Sequence, residues 1–157
     1  MVGMEFSGNQ EVSHFIEYKA IFEEVRKEGL KVSVHAAENK GQNEELDAIL
    51  AFKPDRLGHT THASVEQLKL ITELGIPVEI CPTSNLSSHE GNDYSVMQHF
   101  RVLNEEGGTI IICTDNTGLL KITHSDEVAA IADAFKLTGE QLGVVQLKAV
   151  DAIFDPN

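Results

Sequence analysis

Two histidines, a glutamate and an aspartate are the residues of this chain whose types and spacing best fit chemistry on a metal ion. His35 closes the run KVSVH and Glu38 follows three residues later, while His59 closes RLGH and Asp115 follows IIICT. Imidazole nitrogens and carboxylate oxygens are ligands that zinc takes in enzymes, and a glutamate beside them can carry a proton. This set predicts a divalent metal site with acid–base groups next to it.

Each residue taken alone has a more ordinary explanation. A histidine at a strand end is more often a hydrogen-bonded structural residue, and an aspartate before a helix is more often a cap or turn residue. A solvent-exposed imidazole is the default for the histidines in helices or loops, which are His14, His89, His99 and His124. His62 follows His59 by one helical turn and is a candidate for supporting it.

Five apolar runs of strand length alternate with segments of helical periodicity. The strand-like runs lie at 2–6, 30–35, 55–59, 76–81 and 108–114. The helical segments lie near 11–28, 43–52, 64–74, 94–106, 125–136 and 139–154. Ser64 and Ser125 are the predicted helix N-caps, with Gln67 completing a capping box for the first. The alternation predicts an α/β fold of right-handed βαβ units on a parallel sheet.

Polar side chains follow the predicted strands where parallel α/β folds place their chemistry, at the carboxyl ends. The strands lead into Ser7 and Gly8, His35 with Glu38, His59, the segment 81–85, and Asp115 with Asn116. Because the carboxyl ends of parallel strands meet at one edge, we expect these residues to gather there.

The composition and charge limit the classes of protein to which this chain can belong. With 157 residues, of which 41% are apolar, we expect a single domain over 1–157, or one piece of a larger one. A formal charge of −13 disfavours nucleic acid as a partner. No apolar stretch approaches the roughly 20 residues of a membrane span and the N-terminus does not resemble a signal peptide, so we expect a soluble, cytoplasmic protein without a membrane partner.

Two cysteines lie at the ends of apolar runs, Cys81 after IPVEI and Cys113 after GTIII. They lack the CxxC spacing of zinc or redox motifs. We therefore expect two buried thiols rather than a disulfide framework or a cysteine-based zinc site.

Four ordered motifs resemble those of the adenosine deaminase family. They are HAAE at 35–38, RLGH at 56–59, EICPTSN at 79–85 and CTDNTG at 113–118. The residues in and around these motifs are most similar to the adenosine deaminase-like branch of the family, the N6-methyl-AMP deaminases. The resemblance covers nearly the whole chain, and it implies a zinc-dependent TIM barrel with one zinc per active site.

The resemblance also implies roles for individual residues. His35 and Asp115 match zinc ligands, and Glu38 matches the acid that protonates purine N1. His59 matches the histidine that orients and helps to deprotonate the zinc-bound water. Gly8 matches the glycine whose backbone meets purine N3.

Three positions depart from the motifs of the family. Ala37 stands where classical members have glycine, and Glu5 stands where a shorter acid is usual. Asn116 replaces a second aspartate that bonds purine N7, although an amide can still donate a hydrogen bond there. The resemblance favours a 5′-monophosphate with a small N6-alkyl group, while adenosine, AMP and N6-methyl-AMP all remain open as substrates.

A further departure concerns the barrel itself. The family begins with a strand carrying His-x-His that completes the zinc site, and no such pair occurs here. Because a complete (β/α)8 barrel takes about 200 residues or more, we expect the C-terminal five βα units of an incomplete barrel. The chain is then a fragment of a purine deaminase, weak or inactive alone, or a truncated non-catalytic isoform or interaction module that self-associates through exposed sheet edges. A self-contained α/β binding domain is a third alternative.

Overall fold

A five-stranded parallel sheet forms the centre of the protein, as seen in a computed structural model that describes residues 1–9, 12, 14–87 and 93–155. The strands are β1 (Gly3–Phe6), β2 (Lys31–Ala36), β3 (Arg56–His59), β4 (Val78–Ile80) and β5 (Ile110–Ile112). The helices are α1 (Phe15–Lys27), α2 (Asn43–Phe52), α3 (Val65–Glu73), α4 (Pro82–Leu86), α5 (Gln98–Glu105), α6 (Thr117–Leu120), α7 (His124–Ala134) and α8 (Gly139–Val150), with a 3₁₀ turn at Tyr94–Val96. Within the described ranges, no helix combines the length and the apolar character that a membrane crossing requires.

The strands lie side by side in the order in which they occur in the chain, and every neighbouring pair is parallel. When parallel strands follow one another in sequential order, right-handed crossovers place all the connecting helices on one face of the sheet, as in a barrel. In a doubly wound sheet the strand order reverses, and helices cover both faces. The α/β class and the βαβ connections predicted from the sequence are confirmed.

The two faces of the sheet differ in chemistry because side chains alternate along a strand. Val32 and Val34 are fully buried and belong to the core that also contains Phe15 of α1 and Leu46 of α2. Ser33 and its alternating neighbours, which are Glu5, His35, Arg56 and Glu79, belong to the opposite face. The apolar face therefore holds the helices, and the polar face supplies side chains for a site.

Several local predictions need correction. The helix predicted at 94–106 divides at Met97 into the 3₁₀ turn and α5. The capping box at Ser64 is confirmed, but α7 is capped by Thr123, whose side chain pairs with the backbone of Asp126, rather than by Ser125. The short helices α4 and α6 were not predicted, since neither is long enough to show a helical period.

Candidate active site

His59 is at the centre of the polar cluster that the strand ends bring together. Its side chain is buried, and its Nε2 lies 3.1 Å from Nδ1 of His35 and 3.8 Å from the carboxylate of Glu38. The register pairs His35 with Gly58, which has no side chain, and His59 is the next residue, where the backbone leaves strand geometry with a left-handed φ of 65°. The structure thus places three of the predicted residues within contact of one another.

The protonation of His59 is set by a buried amide. Asn85 Oδ1 accepts the backbone N–H of Cys81 at 3.1 Å, which leaves the Asn85 NH₂ group to donate to His59 Nδ1 at 2.8 Å. A neutral His59 that accepts at Nδ1 carries its proton on Nε2. This tautomer, assigned from the hydrogen-bond network, points an N–H group toward His35 and Glu38.

Burial shifts the ionisation of two residues in opposite directions. Burial, followed by the neighbouring His35, lowers the pKa of His59 to about 4, so that its ring is neutral at pH 7. Burial also raises the pKa of Glu38 above its ordinary value, although His35 opposes this shift. The site therefore favours a neutral imidazole and a carboxyl group that holds its proton more tightly than usual.

Asp115 follows β5 and is held by a serine of the preceding motif. The Ser84 hydroxyl donates to Asp115 Oδ2 at 2.6 Å. Asp115 lines a pocket of about 260 Å³ together with His35, His59 and Asn116. The fourth predicted residue of the cluster thus faces the same pocket as the two histidines.

The backbone is strained where it carries this cluster. Ala37, His59, Thr60 and Asp115 have φ angles of 46°, 65°, 56° and 54°, in the left-handed region that favours glycine. Such conformations persist only where the surrounding structure enforces them, and they concentrate at functional sites. The left-handed backbone at Ala37 also accounts physically for the glycine found there in the motif that this segment resembles.

Glu5 makes a contact that the sequence did not predict. Its carboxylate oxygen Oε1 lies 2.9 Å from His35 Nε2, while Nδ1 of the same ring faces His59. The alternation along β1 puts Glu5 on the polar face, and this periodicity was the available signal. Both nitrogens of His35 therefore have partners within the chain.

Glu127 supports the site through bonds to α4, and the sequence analysis did not identify this residue. Its fully buried carboxylate accepts the Thr83 backbone N–H at 3.1 and 3.2 Å and the Thr83 hydroxyl at 2.9 Å. Burial raises the pKa of Glu127, and the bonds from Thr83 oppose that shift. Because Ser84 and Asn85 follow Thr83 in α4, Glu127 anchors the helix that positions Asp115 and His59.

The donor types at this edge fit a zinc ion. Among the described residues, His35, Glu38 and His59 form one set whose ligand atoms lie within 4.8 Å of one another, and His59, Cys81 and Asp115 form a second. The two predicted zinc ligands, His35 and Asp115, fall in different sets. Their chemistry suits zinc, and they supply two ligands of a site that needs at least three from protein.

The two predicted purine-contacting residues differ in placement. Asn116 lines the pocket and is exposed, so its amide is available to a ligand. Gly8 lies in the exposed segment after β1, with φ at 127°, and it is absent from the residues that line the pocket. The structure brings Asn116 to the cluster and leaves Gly8 at its margin.

Four other histidines are predicted to be solvent-exposed, and two of the three in the described residues follow this prediction. His14 and His124 are exposed, as expected. His99 is only 1% exposed, which contradicts the prediction of a solvated ring. Its helix α5 packs against α3, and this packing could not be read from the local sequence. His89 lies outside the described residues.

A sequentially ordered parallel sheet with histidine and carboxylate groups at its carboxyl ends is typical of α/β barrels, which place their functional residues at that edge. The sequence model of the adenosine deaminase family matches residues 1–157, and the chain belongs to this family. It is similar to N6-methyl-AMP deaminase of Danio rerio, with 30% identity over 162 residues. It is also similar to the adenosine deaminase-like protein of Drosophila melanogaster, with 32% identity over 155 residues.

The fold comparison agrees with the sequence comparison. A crystal structure of Arabidopsis ADAL complexed with IMP superposes with a TM-score of 0.92 at 27% identity, covering 100% of this chain and 46% of that one. The match to the Danio relative includes 99% of this chain and 46% of the relative. The match to the Drosophila relative includes 98% of this chain and 45% of the relative. The chain thus spans slightly less than half of the relatives it matches, and its five strands form a partial TIM-type barrel.

Proposed function

We propose that this chain supplies the metal-binding and proton-transfer side of a purine deaminase site that acts on nucleoside monophosphates of the N6-methyl-AMP type. The observation that carries the proposal is the convergence of His35, Glu38, His59 and Asp115 at one pocketed sheet edge. Four side chains from three different strand ends meet there on strained backbone, which a purely structural role does not require.

The metal in this proposal is zinc, with His35 and Asp115 as the ligands from this chain. The family and the donor types support this choice. Bound zinc supplies a Lewis acid that activates water for attack near neutral pH. Glu5 must release His35 Nε2 if that nitrogen is to ligate the metal, since it now lies 2.9 Å from the Glu5 carboxylate.

Glu38 and His59 are the proposed proton-transfer and orienting residues. Glu38, whose pKa is raised by burial, donates its proton to purine N1, which makes C6 accept the attacking water. His59 holds that water through the N–H at Nε2 that the Asn85 bond enforces. Accepting a proton at Nε2 requires the other tautomer, with the Asn85 amide displaced. The C6 substituent then leaves as methylamine or ammonia.

Substrate preference in the proposal follows the relatives. The similar proteins are described as N6-methyl-AMP deaminases, and a structural relative holds IMP, a nucleoside monophosphate with oxygen at C6. We propose that Asn116 contacts the purine from the pocket wall and that Gly8 approaches it only when its segment moves inward. We further propose that residues 1–157 form one structural unit.

The test is an ultraviolet assay of the zinc-supplemented chain with N6-methyl-AMP, AMP and adenosine. We expect slow turnover, with N6-methyl-AMP converted fastest, because this chain supplies two zinc ligands where such a site needs at least three. Glu38→Gln lowers the rate by about 10²- to 10⁴-fold and leaves the zinc content unchanged. Lys136→Gln, far from the pocket on an exposed ion pair, is the control and keeps the full rate.

Two outcomes contradict the proposal. One is a rate that Glu38→Gln leaves unchanged, because the turnover then comes from another group or from a contaminant. The other is a folded, zinc-supplemented chain that converts none of the three purines above the rate of zinc alone.

A non-catalytic deaminase-like module is the second candidate, and two observations favour it. The two proposed zinc ligands do not fall in one compact set among the described residues. The edge strand β1 and the residue before it also expose apolar side chains, with Met4 at 42% and Val2 at 48% exposure, which suits association with another chain or copy. Zinc-independent self-association without turnover, measured by sedimentation and the same assay, supports this candidate over the first.

A further inference from the structure

Cys81 and Cys113, which are far apart in the sequence, are neighbours across the sheet. The pairing of β4 with β5 puts Ile80 opposite Ile112, and the Cys113 backbone N–H donates to the Ile80 carbonyl at 2.8 Å. Each cysteine directly follows the last residue of its strand, so the two side chains project side by side from the same face of the sheet. The two thiols are close enough to influence each other, since Cys113 raises the pKa of Cys81 and Cys81 lowers the pKa of Cys113.

The backbone spacing suits a covalent bond between these two residues. Adjacent strands lie about 4.8 Å apart, and disulfides join residues whose Cα atoms are about 4.4 to 6.8 Å apart. Both side chains point to one face and line the same pocket. Closing the bond thus needs rotation about the side chains rather than a rearrangement of the sheet.

The pair is also reachable from the pocket. Cys81 and Cys113 both line the pocket that contains His59 and Asp115. Cys81 is only 6% exposed, whereas Cys113 is half-buried. A small reagent entering the pocket therefore meets Cys113 first and finds Cys81 directly behind it.

We propose that Cys81 and Cys113 form a redox modification site, in which the folded chain closes an intramolecular disulfide by exchange with a low-molecular-weight disulfide such as oxidised glutathione. Cys113 attacks one sulfur of the reagent, which releases one glutathione thiol and leaves a mixed disulfide. Cys81 then attacks the Cys113 sulfur and releases the second glutathione thiol. Two electrons pass from the cysteines to the reagent, and the two thiol hydrogens leave with the released glutathione.

The position of this bond connects it to the candidate active site. Cys81 precedes α4, which carries the partners of His59 and Asp115, and Cys113 lies two residues before Asp115. A disulfide here fixes the exits of β4 and β5 relative to each other. The proposal does not depend on the deaminase function, because it concerns only the two thiols and the sheet register.

The test compares the folded and the unfolded chain in the same glutathione redox buffers. The disulfide fraction is measured by mass spectrometry after acid quenching, without denaturant and in concentrated urea. We expect the effective concentration of the dithiol to be at least about tenfold higher in the folded chain, equivalent to about 1.4 kcal/mol. By the same thermodynamic cycle, the oxidised chain should resist urea unfolding more than the reduced chain by that amount.

Single-cysteine variants provide the control. Cys81→Ser should stop at a mixed disulfide of Cys113 with glutathione, whereas Cys113→Ser should react slowly because Cys81 is buried. Circular dichroism establishes that both variants are folded before they are compared. An equal or lower effective concentration in the folded chain overturns the proposal, and so does oxidation that yields only mixed disulfides or dimers. The deaminase assay is to be run under reducing conditions, in which both cysteines stay as thiols. Failure of the disulfide proposal therefore does not affect the test of the proposed function.

Discussion

The two ends of one polar sheet face hold their charged residues in different ways. Toward the amino-terminal end of the strands, Arg56 Nε lies 2.9 Å from a carboxylate oxygen of Glu79, without the alignment of a hydrogen bond. The Arg56 guanidinium also donates to the Ala152 carbonyl at 3.2 Å and stacks on the Phe154 ring at 3.6 Å. Ser33 donates to the other Glu79 oxygen at 3.0 Å. Charge is therefore neutralised by pairing at this end, and the C-terminal segment covers it.

The carboxyl end follows a different rule. His35, His59 and Asp115 line a pocket, Glu38 lies beside His59, and burial favours the uncharged forms of Glu38 and His59. An ion pair holds a structure together, whereas a carboxyl group with a raised pKa and a neutral imidazole remain available for proton transfer. The comparison teaches that one sheet face pairs its charged groups at one end, whereas at the other end burial disfavours the charged forms of the two proposed proton-transfer residues.

The largest effect on stability is expected from Arg56→Met. The change removes the partner of a mostly buried carboxylate together with the contact on Phe154, and keeps an apolar side chain of similar length. Because Arg56 and Glu79 are about one fifth exposed, we discount the full cost of breaking a buried pair and expect a loss of about 2 to 3 kcal/mol. Urea unfolding followed by circular dichroism measures it.

Glu38→Gln is the matched control for this prediction, since it removes a charge from the other end. We expect it to change the free energy of unfolding by less than about 0.5 kcal/mol, because burial already disfavours its charged form. Equal losses for the two variants would show that the carboxyl end is as structural as the amino-terminal end.

A smaller loss is expected from Asn85→Ala. The fully buried amide satisfies the Cys81 N–H and His59 Nδ1, and its removal leaves a buried donor unpaired at a cost of about 1 to 2 kcal/mol. It also frees His59 to change tautomer, which ¹⁵N chemical shifts of the ring report. A variant that loses stability while keeping the Nε2-protonated ring would contradict the assignment of the tautomer to Asn85.

The smallest effect concerns pH and Glu127. Because burial raises the pKa of Glu127 above its ordinary value of 4.5, the folded chain binds this proton more tightly than the unfolded chain. Its contribution to stability is complete below pH 4.5 and is lost as the pH rises through the higher folded pKa. Glu127→Gln should therefore gain stability relative to the wild type between pH 4.5 and 7 in urea titrations. Parallel pH profiles for the two proteins would refute this sign.

Much of the architecture could be predicted from the sequence. Apolar runs of strand length, helical periods and the capping box at Ser64 gave the order of the elements, because these signals arise from neighbouring residues. The rule that parallel strands bring their carboxyl ends together then placed His35, His59 and Asp115 at one edge. Short helices were missed, since four or five residues show no period.

The sequence by itself determined which residue types follow each strand, and therefore what chemistry the edge can offer. Only the tertiary structure decided which of them are neighbours: Asn85 bonds His59, Glu127 bonds Thr83, and Cys81 lies beside Cys113 across the strand register. Such contacts depend on strand register and on helices packed from distant parts of the chain. A local pattern cannot encode them, and for this reason two cysteines that looked like separate buried thiols are a pair.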